Sequence, residues 1–289
     1  NRSKLSDIQY RTLVAREVRK KYPEIPLRFV AMVFGIAKST LGYHPTLPYR
    51  DAIIEQKITG VHEAHPYYGH RRIALELGIN KKCSSRIMRL GNIQVLTRKR
   101  KSWIKIEDRN FCPLPIPNLT KEVAASFPHE IWRSDFTHLY YRDEVLHLAT
   151  IIDECSKEII AYKLSFKHKK ELIIETLDEA VKIQIQKNLP LPKILHSDQG
   201  SEYRSYAYQT RVSKLQILLS YSKKSSPWQN SYQESFYGKF KQELGDLNCY
   251  QTIEEAIIAI HHQIYYYNHK RIHTTIKMPP SVFTEKWMR

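Results

Sequence analysis

The chain has 289 residues, 42% hydrophobic and 26% charged, which is enough apolar content for two or three domains with cores and too much for a disordered polymer. A net charge of +17 favours a polyanionic partner, above all nucleic acid, because clustered Lys and Arg neutralise phosphate and release counterions. No apolar run approaches the roughly 20 residues that cross a bilayer, and Cys83, Cys112, Cys155 and Cys249 have no paired spacing, so no membrane, disulfide framework or Cys-x-x-Cys metal site is expected and a reducing, cytoplasmic setting is.

Charge is unevenly spread. Residues 1–128 hold 24 basic and 10 acidic residues, a net +14, whereas residues 129–289 hold 22 and 19, a net +3. Residues 1–45 read as a helix-turn-helix-like domain: Ile8, Leu13, Val14 and Val18 recur at helical spacing, Pro23 to Pro26 break the helix, and Val30–Ile36 leads through Gly35 to a short polar helix opened by Lys38 and Ser39. Residues 51–90 read as a second helical DNA-binding domain, with Arg71 and Arg72 in its middle segment and Lys81, Lys82, Arg86 and Arg89 on its third. Residues 91–128 form a basic, Pro-rich linker carrying Arg98, Lys99, Arg100 and Lys101, then Pro113, Pro115, Pro117 and Pro128.

Beyond the linker the pattern changes. Residues 130–141, 145–153 and 158–166 are β-branched and aromatic runs separated by short turn sequences, which predicts a meander of three strands. A helix over 169–187, a strand over 193–196, a helix over 202–215, a strand over 216–220, a polar loop over 221–229 and a long helix running through Glu234 to Leu244 follow. Three meander strands followed by α-β-α-β-α is the order of a ribonuclease-H-like α/β core with a mixed sheet, here over 129–246, behind N-terminal all-α DNA-binding domains and ahead of a helical extension over 247–289.

Three acids stand out within that order. Asp135 falls mid-strand in the first strand, Asp198 just past the short strand ending at His196, and Glu234 in the following helix, with thirty-five residues between the last two. A charge in a central strand is costly without a cation or partner, and carboxylates are the hard oxygen ligands that hold the metal ions of phosphodiester chemistry. A shared cation site is therefore expected at Asp135, Asp198 and Glu234. Lys241 lies seven residues after Glu234, two helical turns on and nearly the same face, so it reaches the same DNA, whereas Lys239 points elsewhere. The loop before the helix carries Lys223, Lys224 and Trp228, expected DNA contacts.

Several motifs in one order carry a resemblance: His65–Ile73, Ile87–Leu90, Trp132–Thr137, Ile152–Lys157, His196–Tyr203, Glu234–Phe236 and Tyr267–His273. Over most of its length the chain resembles transposases of the insertion-sequence-three family, within the DDE superfamily that includes retroviral integrases. The resemblance implies that Asp135, Asp198 and Glu234 are metal ligands, that Lys241 is the basic residue after the glutamate, and that Asn230 is retained where the family has an Asp-Asn pair; here Gln229 takes the Asp position. It implies two Mg2+ ions per site, with Mn2+ able to substitute, and cleavage of insertion-sequence ends followed by joining of the 3′-hydroxyl to a second phosphate through a branched, then circular, intermediate. The partners would be terminal inverted repeats and target DNA, both double-stranded, bound by a homodimer or larger assembly. The zinc-binding His-His-Cys-Cys unit of integrases is not expected, since His62, His65, Cys83 and Cys112 lack the spacing. Two other readings share parts of this pattern: an inactive, domesticated DNA-binding regulator, and a metal-dependent nuclease acting on RNA–DNA hybrids.

Overall fold

The computed structural model describes residues 7–43, 47–96, 116–121, 123–167, 170–222 and 231–288. The expected contacts Arg98, Lys99, Arg100, Lys101, Lys223, Lys224, Trp228 and Asn230 lie outside these residues. The chain divides after Gly60 into two compact units. No helix among the described residues is long and apolar enough to cross a membrane.

The first unit holds α1 (Asp7–Lys21), α2 (Leu27–Val33), α3 (Lys38–Gly42) and the start of α4 (Leu47–Ala64). The first three pack around Ala15, Val30, Ala31 and Leu41. Gly35 turns the chain between α2 and α3 at φ +62°, where the Ile36 N–H reaches the Ala31 carbonyl at 3.0 Å. The packed face of α1 differs from the expected one. Thr12 and Ala15 are buried, while Ile8 and Leu13 remain 62% and 51% exposed, because two helices this short cover one narrow stripe of α1.

The second unit begins with α5 (His70–Glu76) and α6 (Lys81–Leu90), packed through Ile73, Ala74, Ile87 and Met88. The Asn80 side chain caps α6 by accepting the Lys82 N–H at 2.8 Å. This segment is fastened to the far end of the sequence: His65 Nδ1 lies 2.8 Å from the Tyr266 hydroxyl, and the Tyr68 hydroxyl accepts the Ile272 N–H at 2.7 Å.

The sheet is built from β1 (Ile131–Tyr141), β2 (Glu144–Asp153), β3 (Ile159–Ser165), β4 (Ile194–Ser197) and β5 (Leu218–Tyr221), in the spatial order β3-β2-β1-β4-β5. The meander β1-β2-β3 is antiparallel, and β4 and β5 join it in parallel, so the sheet is mixed, as the element order predicted. β1 is central. Residues of alternate parity on its pleat serve two cores. On one face Trp132, Ile151, Leu195 and Tyr203 pack with α7 (Lys170–Gln186) and α8 (Tyr206–Lys214). On the other, Leu139, Tyr141, Leu148 and Ile152 pack against Phe236, Tyr237 and Phe240 of α9 (Ser231–Leu244) and Ile260, Ile264 and Tyr267 of α10 (Ile253–His269). A last helix, α11 (Pro280–Met288), folds back so that the Ser281 hydroxyl donates to the Asn268 carbonyl at 2.9 Å.

One boundary moved. The helix expected from Glu202 begins at Tyr206, because Ser205 takes the N-cap and accepts the Tyr208 N–H at 3.3 Å. The helix running through Glu234 begins at Ser231, which puts Glu234 in its first turn.

Candidate active site

Asp135 occupies the position on β1 opposite Thr150 of β2, on the face covered by α9. Two side chains of α9 lock the helix to the β1 backbone. Gln233 donates from Nε2 to the Arg133 carbonyl at 2.9 Å, and the buried Tyr237 hydroxyl donates to the Asp135 carbonyl at 2.8 Å. Since that hydroxyl has one proton, Thr150 must supply its own to the 2.8 Å bond between them. The strand bearing one acid and the helix bearing another are thereby held in register.

Asp198 follows β4, the parallel neighbour of β1. Its Oδ1 accepts the Gly200 N–H at 2.9 Å, closing a tight turn. A Cβ at position 200 would stand 3.1 Å from Asp198 Oδ1 and 3.0 Å from Glu202 Oε2, so a larger residue would have to push both carboxylates aside by a few tenths of an ångström. Burial pushes the Asp198 carboxyl above the ordinary carboxylate range, the Gly200 hydrogen bond opposes this, and the nearby Glu202 charge adds to it.

Both aspartates act on the same two phenols. Tyr203, fully buried with its hydroxyl 3.1 Å from Ser134 Oγ, is pushed well up by burial and then by Asp135 and Asp198. Tyr237 is pushed up by burial and by the same two carboxylates. Asp135 and Asp198 therefore share one electrostatic neighbourhood, bracketed by Tyr203 and Tyr237.

Glu234 is not part of that pair. It stands exposed on the first turn of α9, its carboxyl raised only by partial loss of water. Among the described residues no group of three or more His, Cys, Asp or Glu side chains is arranged to hold a metal ion, so the three-acid pocket expected from the sequence is not gathered here. Carboxylates repel one another at close range, so three of them come together only with positive charge between them. The oxygens of Asp135, Asp198 and Glu234 are the hard donors that a divalent cation takes, and burial already disfavours the charge of Asp198.

The other expected residues are dispersed. Lys241 sits partly buried on α9, and Lys38 and Ser39 are exposed at the start of α3. Lys81, Lys82, Arg86 and Arg89 are all exposed on α6, as is Arg71 on α5. Arg72 departs from the expected outward position. Its guanidinium lies against the Tyr68 ring at 5.4 Å and 3.8 Å from Glu243, whose buried charge attracts it although Arg271 beside it repels.

Several contributors were not singled out beforehand. Tyr237 lies three residues after Glu234, on the buried side of the same helix, and Tyr203 and Glu202 close the run beginning at His196. His196 is fully buried, hydrogen-bonded to Ser220 Oγ at 2.9 Å, and held neutral with a pKa of about 3 by burial and then by Arg133. Asp153 is buried and accepts the His129 N–H at 2.8 Å and both the Ser156 N–H and hydroxyl at 2.7 Å, which ties the β2–β3 turn to the start of β1.

Comparison with known proteins places this geometry in a lineage. Residues 125–227 match the family described as "Integrase core domain", and residues 215–280 match a second family of that description. The chain is 31% identical to the putative transposase InsK for insertion sequence element IS150 of Escherichia coli (strain K12), over 91% of this chain and 94% of that protein. It is 32% identical to the transposase for insertion sequence element IS904 of Lactococcus lactis, over 77% of this chain and 89% of that protein. Among solved structures, a chain of the simian T-cell lymphotropic virus intasome in complex with PP2A regulatory subunit B56 gamma aligns at TM-score 0.49 and 17% identity, covering 78% of this chain and 74% of that one.

Proposed function

From a chain that belongs to the insertion-sequence-three family of transposases, with an integrase core, we propose a specific chemistry: cleavage of insertion-sequence ends and joining of the freed 3′-hydroxyl to a second DNA phosphate at Asp135, Asp198 and Glu234. The observation that supports this reading best is the delivery of Asp135 and Asp198 from the adjacent parallel strands β1 and β4, each two residues beyond the paired Arg133 and His196. When bound, two divalent cations, Mg2+ or Mn2+ in its place, supply activation of the attacking oxygen and stabilisation of the leaving oxygen. Asp135 and Asp198 would hold the cations, and Glu234, on the first turn of α9, would complete the set.

The reaction has two displacements at phosphorus and no protein–DNA bond. Water attacks a phosphate at the element's end and the 3′-oxygen leaves; that 3′-hydroxyl then attacks a second phosphate and the next 3′-oxygen leaves. A branched and then circular DNA follows from joining one end beside the other. Lys241 on α9, Arg71 on α5 and the exposed cations Lys81, Lys82, Arg86 and Arg89 of α6 grip backbone phosphates, and Lys38 and Ser39 open the helix that reads the terminal inverted repeats. Outside the described residues, Asn230, Trp228, Lys223, Lys224 and the run from Arg98 to Lys101 are assigned to DNA as well. Two ends held at once require a homodimer or larger assembly, working in the cytoplasm.

The test is Asp198→Ala with labelled terminal-repeat duplex and Mg2+. The variant is expected to bind the ends and to reduce nicking and joining to background. Retained joining overturns the assignment, binding without cutting by the parent protein makes it a regulator, and preferential cutting of RNA–DNA hybrid makes it a nuclease.

A further inference from the structure

Gln233 is fully buried beside Glu234 on α9. Its Nε2 donates to the Arg133 carbonyl at 2.9 Å, and its Oε1 has no hydrogen-bond partner among the described residues. A buried acceptor without a donor is costly, so an apolar side chain of the same shape would fill this position without that penalty. What the amide provides instead is a fixed point on the backbone of β1.

Tyr237 provides a second one, through its 2.8 Å bond to the Asp135 carbonyl. Gln233 and Tyr237 are four residues apart on a helix, a rise of about 6 Å, while Arg133 and Asp135 are two apart on a strand, about 6.7 Å. The two steps match, so both bonds form together in one register only. Advancing α9 by one residue would shift each donor by about 1.5 Å and turn it by about 100°. The Asp135 carboxylate is anchored as well, since its Oδ1 accepts the Phe136 N–H at 2.8 Å.

That register places Glu234. It lies between the two fixed points along the helix, about 160° round from Phe236, whose ring packs on Tyr267 of α10 at 5.1 Å between centroids. α10 is tied to the outer strand β3, where the Asn268 side chain bonds the Ile159 N–H and carbonyl at 3.0 and 2.9 Å. Glu234 therefore leaves α9 on the flank away from β3, the side of β4 and Asp198. Asp198 and Asp135 each stand two residues past the paired His196 and Arg133.

We propose that Gln233 and Tyr237 form a latch of positioning residues for the metal site, setting the height and turn of α9 so that Glu234 meets Asp135 and Asp198 by side-chain rotation alone. This rests on the reading of the three acids as cation ligands. Neither latch residue touches a cation, and removing a group that orients a ligand costs about 10–100-fold in metal affinity.

The experiment titrates Mn2+ into the full chain with a terminal-repeat duplex bound, against the duplex alone, and reads free Mn2+ by electron paramagnetic resonance; Tm is the second measurement. Gln233→Met and Tyr237→Phe are each expected to weaken Mn2+ binding about tenfold, with the Tm of Gln233→Met close to the parent's. On top of Glu234→Gln, Gln233→Met should weaken binding no further, because it acts through that carboxylate. Gln184→Met removes a like bond, from another buried glutamine to the Pro190 carbonyl at 3.1 Å, and should lower Tm while leaving Mn2+ binding unchanged. Parental Mn2+ binding in both latch variants overturns the proposal, as does an effect of Gln233→Met that persists in full on top of Glu234→Gln. Binding that survives Asp198→Asn unchanged defeats the three-acid reading and the latch with it; binding that needs all three acids but neither Gln233 nor Tyr237 defeats the latch alone.

Discussion

Two clusters of buried charge sit on either side of α9 and are treated in opposite ways. Around Glu243 the fold supplies everything the carboxylate needs: a bidentate Arg271 that is 2% exposed, Arg72 at 3.8 Å and Gln263 at 3.5 Å. Around Asp198 it supplies one backbone N–H and then, in Glu202, a second carboxylate. The first arrangement is scaffold, with its electrostatics closed by the protein's own groups. The second leaves a charge deficit that the fold alone does not correct, and such deficits mark where something from outside is meant to arrive.

That contrast predicts opposite outcomes for removing a charge. The largest effect belongs to the closed cluster: Arg271→Met strands Glu243 and should cost about 3–5 kcal/mol, read as a fall in Tm of roughly 6–20 °C. Adding Glu243→Leu should recover most of it. A single variant as stable as the parent would break the distinction between the clusters. Asp153 is an intermediate case, a buried acid met by backbone and hydroxyl donors instead of a cation. Asp153→Ala leaves the His129 and Ser156 donors without an acceptor and should lose about 2 kcal/mol, measured by denaturant titration at neutral pH.

The smallest effect has the reverse sign. The folded-state pKa of Asp198 lies above that of the unfolded chain, so the proton is held more tightly when folded; stability is fully present below the unfolded value and is lost as pH rises through the folded one. Asp198→Asn keeps the Gly200 hydrogen bond and removes the charge. At pH 7 in the absence of metal its Tm should exceed the parent's by a few degrees, and the gain should vanish in acid, below the unfolded carboxylate value. A variant less stable than the parent at pH 7 would place Asp198 among the scaffold charges after all.

The strands and the two aspartates were legible in the sequence for a specific reason. Asp135 interrupts an apolar central strand, and the turn at Gly200 follows Asp198 directly, so local pattern alone marks both. Glu234 was legible as a helical residue, but it stands exposed on the first turn of α9, and nothing local in the sequence says how that turn lies against the two strands. Arg72 was misread because its partner, Glu243, is far away in sequence, and nothing in a basic helix distinguishes an arginine facing DNA from one turned to a buried glutamate. The C-terminal aromatic and histidine residues take hydrogen-bonding and core positions: His261 Nδ1 lies 2.7 Å from the Tyr162 hydroxyl, His269 Nδ1 3.0 Å from Ser281 Oγ, and Tyr267 is 6% exposed. Apolar periodicity in α1 misled because it reports which residues could be covered, not how much neighbouring helix exists to cover them.

The clasp between the two ends of the second unit also has a bearing on how the chain is made. His65 and Tyr68 meet Tyr266 and Ile272 across separations of 201 and 204 residues. At ribosomal speeds of about 5–20 residues per second, their partners emerge roughly 10–40 s later. Throughout that interval the early segment has no place to dock, so closure of the unit is among the last events of synthesis, and a nascent chain still on the ribosome lacks the buttress that the finished molecule places behind α9.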